Sequence, residues 1–149
     1  MRGWIIRIAI IAVIAGGAYL FRDRLSSNAG DLKVGDCFDQ PTSATGTIKD
    51  VQHHPCNESH NSEVFFVGNH PAASGTPALT DDQILVFVAN TCVPAYQSYT
   101  GTSFDPKGAI DVGYFYPLPE DWAKGRRDVT CYAYRLDNTM MTTSLKKSP

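Results

Sequence analysis

The densest run of side chains able to do chemistry lies between His53 and Glu63. His53, His54, Cys56 and His60 are residue types that ligate a transition metal, provided Cys56 carries a free thiol. Ser59, His60 and Glu63 supply, within one short loop, the types of a nucleophile, base and acid relay. Both readings meet an objection elsewhere in the chain. Cys37, Cys56, Cys92 and Cys131 form an even, widely spaced set without a CxxC pair, which points to structural disulfides and removes the thiol. Nor does any G-x-S-x-G elbow present a serine nucleophile. The expectation is no catalytic residue, no metal, no cofactor and no small-molecule substrate. His53 and His54 then turn to opposite sides of a strand end, and His60 is hydrogen-bonded within the loop before Glu63.

Four cysteines allow three pairings. Joining Cys37 to Cys56 and Cys92 to Cys131 nests nothing and closes two moderate loops, each contributing about 3 to 4 kcal/mol in the chain-entropy model. The other two pairings stay open. Disulfides persist in oxidising compartments, so the domain that carries them is expected outside the cytoplasm.

A second set is aromatic: Tyr114, Phe115, Tyr116, Trp122, Tyr132 and Tyr134. Such residues fill cores or form platforms for a partner. Alternation along a strand puts Tyr114 and Tyr116 on one face and Phe115 on the other, so a single helix cannot bury them all. Tyr114, Tyr116, Trp122, Tyr132 and Tyr134 are therefore the candidate interaction surface.

Positioning these residues requires a folded domain, and the apolar pattern supplies its elements. Lys33 to Phe38, Lys49 to His53 and Glu63 to Val67 read as strands, with a turn-rich segment between the first two. Ile84, Val88, Cys92, Tyr96 and Tyr99 recur at helical spacing from Thr80 to Tyr99, with Thr80 as N-cap and Asp81 and Asp82 in the first turn. Pro94 is expected to kink that helix or end its regular part near Cys92. Ala109 to Tyr116 and Arg127 to Leu136 are further strands, the second placing Val129, Cys131 and Ala133 on one face and Tyr132 and Tyr134 on the other. A bridge from Cys92 to Cys131 would staple helix to sheet. Glu120 to Lys124 reads as one helical turn and Thr142 to Leu145 as an edge strand. The fold class is α+β, a small antiparallel sheet packed against one main helix and held by two disulfides.

The N-terminus has a different solvent. Trp4 to Phe21 is an apolar stretch of eighteen positions interrupted only by Arg7. As a helix it covers roughly 27 Å, enough to cross a hydrocarbon core of about 30 Å. Trp4 and Tyr19 suit the two interfaces, and Arg7 can extend its side chain to the headgroups. A cleaved signal peptide is the alternative. Cutting after Gly17 leaves a short apolar core, and cutting after Ala29 leaves Arg22 and Arg24 before the cut, so an uncleaved anchor is expected. The organisation is then an anchor over 1–24 (span about 4–21), a polar linker over 25–31, a domain over 32–145 and a tail over 146–149. The cysteines set the topology, with the N-terminus cytoplasmic and the domain outside.

The chain's formal net charge is −2, and only 19% of its 149 residues are charged. Beyond residue 24, nine basic side chains face fourteen acidic ones. That balance is unsuited to phosphate backbones, so nucleic acid is excluded as a partner.

Val34 to Cys37 as Val-Gly-Asp-Cys, then Val51 to Cys56, then Cys56, His60, Glu63 and Val64 as C-x3-H-x2-E-V, form a recognisable order. Cys92, Trp122, Gly125, Val129 and Cys131 continue it. This arrangement resembles the septum formation family of membrane-anchored actinobacterial proteins, from about Leu32 to Leu145. The resemblance implies an extracytoplasmic domain with paired cysteines in the cell envelope, with a context in division, and it implies no reaction. The chain is thus expected to be a non-enzymatic interaction module whose partners are the membrane and envelope or integral membrane proteins. A second reading is an accessory subunit docking through its anchor, where Gly16, Gly17 and Ala18 form a small-residue patch suited to close helix packing. An envelope hydrolase is the third.

Overall fold

The computed structural model describes residues 26–40, 50–137 and 139–148. The expected membrane span over 4–21, with Gly16, Gly17 and Ala18, lies outside the described residues. Among the described residues no helix is long and apolar enough to cross a membrane.

Six strands form one antiparallel sheet: β1 (Ser26–Asn28), β2 (Cys37–Asp39), β3 (Asp50–His54), β4 (Ser62–Asn69), β5 (Ile110–Phe115) and β6 (Asp128–Arg135), in the order β1-β3-β2-β4-β6-β5. One long helix, α1 (Asp81–Thr100), packs against β4, β5 and β6, and a single turn, α2 (Pro119–Ala123), precedes β6. The architecture is the expected α+β one.

Helix α1 begins where the sequence places it. The Thr80 side chain accepts the Gln83 N–H and the Gln83 side chain accepts the Thr80 N–H, a reciprocal capping box. It stops at Gly101, whose φ of +74° turns the chain left-handed while its N–H reaches Gln97 O at 2.9 Å. Pro94 does not end the helix near Cys92. It removes one backbone donor, a cost of roughly 3 kcal/mol, but Tyr96 and Tyr99 beyond it are buried against the sheet and hold the last two turns in place.

Strand alternation divides the interior into two cores. On the α1 side, Val88, Cys92, Tyr96 and Tyr99 meet Phe65, Val129, Cys131 and Ala133. On the other face Phe38, Val51, Val64 and Tyr132 cluster beneath Ala29 and Leu32. A bulge between Val64 and Phe66 inserts one residue into β4, so that adjacent Phe65 and Phe66 both serve the helix-side core. Gly113 stands opposite Tyr132 in the β5–β6 ladder, and a Cβ there would meet the tyrosine ring at under 3.0 Å.

Three further expectations change. Residues 26–31 are not a free linker: Ser26–Asn28 pair with β3, Ala29–Asp31 make a 3-10 turn, and Ala29 and Leu32 bury themselves over the second core. The strand expected over Lys33 to Phe38 starts only at Cys37, because Asp36 Oδ2 accepts the Lys33 N–H at 2.8 Å and Gly35 adopts a φ of +93° in a turn. Thr142 to Leu145 does not form an edge strand. A lone bridge joins His60 to Met141, and the following residues use their donors on a buried side chain instead.

Candidate functional site

That buried side chain is Glu63. It sits on β4 facing Cys37 of β2 in the ladder, and it is fully buried. A carboxylate removed from water must find donors or it costs several kcal/mol. Glu63 finds three from distant parts of the chain. Oε1 accepts the Tyr99 hydroxyl at 2.6 Å, from α1, and the Ser144 hydroxyl at 2.6 Å, while Oε2 accepts the Leu145 N–H at 2.7 Å. Helix, sheet and C-terminal segment thus converge on one carboxylate. Burial, then the adjacent Glu63 carboxylate, push the Tyr99 hydroxyl well above the ordinary tyrosine range, so it remains a donor.

His60 is equally buried and is anchored through its backbone, which exchanges two hydrogen bonds with Met141. Its ring Nδ1 lies 2.8 Å from Glu58 O, an acceptor only, so Nδ1 carries the proton and Nε2 presents a lone pair in the neutral ring. No hydrogen-bond partner reaches Nε2. A His60 ring nitrogen, Cys37 Sγ and a Glu63 carboxylate oxygen lie within 4.8 Å of one another.

The two disulfides join Cys37 to Cys56 and Cys92 to Cys131, with Cα separations of 5.3 and 5.8 Å. With Cys56 oxidised, the four donors noted in the sequence do not assemble: His54 Nε2 is 2.8 Å from Asp39 Oδ2. Among the described residues the grouping of such side chains is Cys37, His60 and Glu63, and the bonded sulfur offers no thiolate to a metal. Ser59, His60 and Glu63 form no relay either. Ser59 is exposed, neither ring nitrogen of His60 engages its hydroxyl, and the carboxylate is committed to Tyr99, Ser144 and Leu145.

The aromatic set is distributed differently from a platform. Trp122 is 2% exposed and Tyr132 4%, so both correct the expected surface. Tyr132 fills the second core and donates no platform face: its ring packs on Phe38 and Phe115, and its oxygen accepts from Gln40 Nε2 at 2.7 Å. Burial raises its hydroxyl to about 12. Trp122 is an anchor for the loop before α1. Its indole N–H reaches Thr76 O at 2.8 Å, the Arg127 guanidinium lies 3.8 Å from its ring centre, and Arg127 also donates to the carbonyls of Ala72 and Ala73. Tyr116 stacks on Trp122 with a buried hydroxyl that has no partner, and burial raises that hydroxyl to about 12. His70 packs against Phe87, Tyr116 and Trp122, and burial followed by the Arg127 charge lowers its affinity for a proton. Tyr114 and Tyr134 are half-buried, Tyr134 donating to Asp111 Oδ2 at 3.1 Å.

The residues that sequence reasoning missed are Tyr99 and Ser144 as partners of Glu63. They lie 36 and 81 positions away, and no local signal links them. An unexplained acid three residues from His60, at the head of an otherwise apolar strand, was the available hint.

No curated protein and no solved structure matches the chain. The family model described as septum formation matches residues 34–148, which spans Cys37 to Cys131 and extends through Ser144 and Leu145. On that match, the chain belongs to the septum formation family, a grouping whose description indicates a role in cell division or the envelope.

Proposed function

We propose that the chain is a non-enzymatic interaction module of the cell envelope, tethered by a single span over residues 4–21, with its disulfide-bonded domain outside the cytoplasm and its partners among division or other envelope proteins. The observation that carries this reading is the outer flank of α1. Leu85 and Val86 are 53% and 61% exposed in the first turns of a helix whose opposite side is committed to the core. Adjacent exposed apolar side chains on a rigid, capped helix are suited to contact with an apolar protein surface. Two disulfides support an oxidising compartment, and the long apolar N-terminal stretch supports the tether.

A photo-reactive residue replacing Val86 in the full chain, activated in intact membranes, tests this. Specific crosslinks to envelope proteins that disappear with Leu85→Ser are expected, with the far-UV spectrum of the variant unchanged. Crosslinks restricted to lipid, or unaffected by Leu85→Ser, count against it. The second reading, docking through the anchor, is favoured by Gly16, Gly17 and Ala18. Under that reading Gly16→Leu with Gly17→Leu abolishes association and Leu85→Ser does not.

A further inference from the structure

We propose that the Cys37–Cys56 disulfide is a thiol–disulfide exchange site, in which Cys56 receives an incoming protein thiolate and Cys37, served by His60 as base, is the resolving thiol. This chemistry is stoichiometric in the protein's own disulfide and stands independently of the docking role.

Three features of the bond support it. First, its two ends are unequal. Cys37 is buried on β2, whereas Cys56 is half-buried in the Pro55–Glu58 turn, closed by the Glu58 N–H on Pro55 O at 2.8 Å. Exchange requires a thiolate to reach one sulfur while the other leaves, and the Cys56 end is the less buried of the two.

Second, a base lies close by. A ring nitrogen of buried His60 is within 4.8 Å of Cys37 Sγ, and with Nδ1 held by Glu58 O the ring's lone pair is on Nε2, which has no hydrogen-bond partner. An unsatisfied buried acceptor is unfavourable. A Cys37 thiol would supply the missing donor. The Glu63 carboxylate, fixed by Tyr99, Ser144 and Leu145, offsets the positive charge the ring acquires on taking that proton. Third, Cys56 Sγ lies 3.3 Å from Gly35 O, a close contact in which the bonded sulfur has no proton to give. Once reduced, the Cys56 thiol has that carbonyl as its acceptor. Both sulfurs therefore have acceptors waiting in the dithiol state.

The steps balance as follows. A partner thiolate attacks Cys56 Sγ, forming a mixed disulfide as the Cys37–Cys56 bond breaks, and the bonding pair leaves on Cys37 Sγ, which takes a proton from water. A second thiolate of the same partner can then attack its own sulfur in the mixed disulfide, releasing the Cys56 thiolate; the partner dithiol is oxidised to a disulfide and the Cys37–Cys56 pair is reduced to two thiols. In the return direction, His60 Nε2 accepts the Cys37 proton and the Cys37 thiolate attacks Cys56 Sγ, expelling the partner as thiolate and restoring the bond.

The test uses the full oxidised chain equilibrated at pH 7 with reduced and oxidised glutathione, with free thiols alkylated and assigned by peptide mass spectrometry. Cys37 and Cys56 are expected to become thiols at a glutathione ratio at least 100-fold less reducing than Cys92 and Cys131 require, a difference of about 59 mV for a two-electron couple. Equal ratios for the two bonds would overturn the proposal. A second arm follows glutathione release from the Cys56 mixed disulfide after oxidised glutathione is added to the reduced pair. His60→Gln is expected to slow release at least tenfold in a chain that retains the Cys92–Cys131 bond and native spectrum. Unchanged release in that folded variant overturns the role of His60. If the variant does not fold, the equilibrium on the native chain decides.

Discussion

The two disulfides close loops in the same small domain, yet their surroundings differ in kind. Cys92 and Cys131 are both fully buried among Phe65, Val88, Tyr96, Val129 and Ala133, with α1 on one side and the sheet on the other. Cys37 and Cys56 join β2 to a turn, with one end half-buried and with His60 and Glu63 beside the other. Around Cys92–Cys131 the bond ties together surfaces that apolar burial already brings together. Around Cys37–Cys56 the neighbourhood is held by directional polar contacts drawn from four separate segments. An apolar region tolerates imprecise replacement so long as volume is kept, whereas a buried polar one fails when a single partner is lost. The contrast makes the two halves respond differently to the same class of damage.

The sharpest way to break the comparison is to remove each bond. Cys92→Ala with Cys131→Ala opens the 39-residue separation and is expected to cost about 4 kcal/mol from chain entropy alone. Cys37→Ala with Cys56→Ala opens a 19-residue separation and is expected to cost about 3 kcal/mol. Urea unfolding of both double variants measures this. The larger loss must fall on the helix-side bond, since cavities left among apolar side chains add to it. A larger loss at Cys37–Cys56 would mean that this bond carries the fold and that its polar surroundings are secondary.

Glu63 tests the polar half directly. Glu63→Ala leaves the Tyr99 and Ser144 hydroxyls and the Leu145 N–H without an acceptor, and a cost of about 3 kcal/mol is expected. Glu63→Gln keeps one acceptor oxygen and is expected to lose about half as much. The same urea midpoints give the result. Because the C-terminal segment is tied down through this residue, protease cleavage beyond Met141 should appear in Glu63→Ala before the rest of the domain is attacked.

How far the sequence revealed these regions follows from the range of the forces involved. Helix α1 was legible because its signals are local: Thr80 is the cap, Asp81 and Asp82 fill the first turn, and Val88, Cys92, Tyr96 and Tyr99 share a face. The Cys92–Cys131 bond was legible through that face and the alternation of β6. Trp122 was misjudged as surface because its burial depends on Thr76 and Arg127 closing over it, and Arg127 takes part through its tertiary contacts with Ala72 and Ala73. Tyr132 was assigned correctly to the face opposite Cys131, but part of its cover comes from Ala29, in a stretch polar enough to pass for a linker. The Glu63 cluster was the least legible part. A carboxylate's partners need only donate a proton, and serine, tyrosine and backbone donors are everywhere in the sequence.

The smallest expected effect concerns tyrosine ionisation, and it separates the two halves by the reason for each shift. Tyr132 is raised to about 12 chiefly by burial in the apolar second core, whereas Tyr99 is raised by burial together with the Glu63 charge. For either residue the folded state favours the neutral phenol more strongly than the unfolded chain, whose tyrosines titrate near 10. Their stabilisation is therefore complete below about pH 10 and declines as the pH rises through the folded values. Tyr99→Phe removes one ionising group, so its midpoint should fall less steeply than wild type between pH 10 and 12, although it is less stable at pH 7 by about 1 kcal/mol for the lost hydrogen bond. Tyr132→Phe should flatten the same limb while costing less at neutral pH, because its oxygen only accepts from the half-buried Gln40 and leaves no carboxylate short of a donor. Equal neutral-pH costs for the two substitutions would show that the Glu63 contact is no stronger than an ordinary half-buried hydrogen bond. A steeper alkaline limb in Tyr99→Phe would place the alkaline sensitivity elsewhere in the domain.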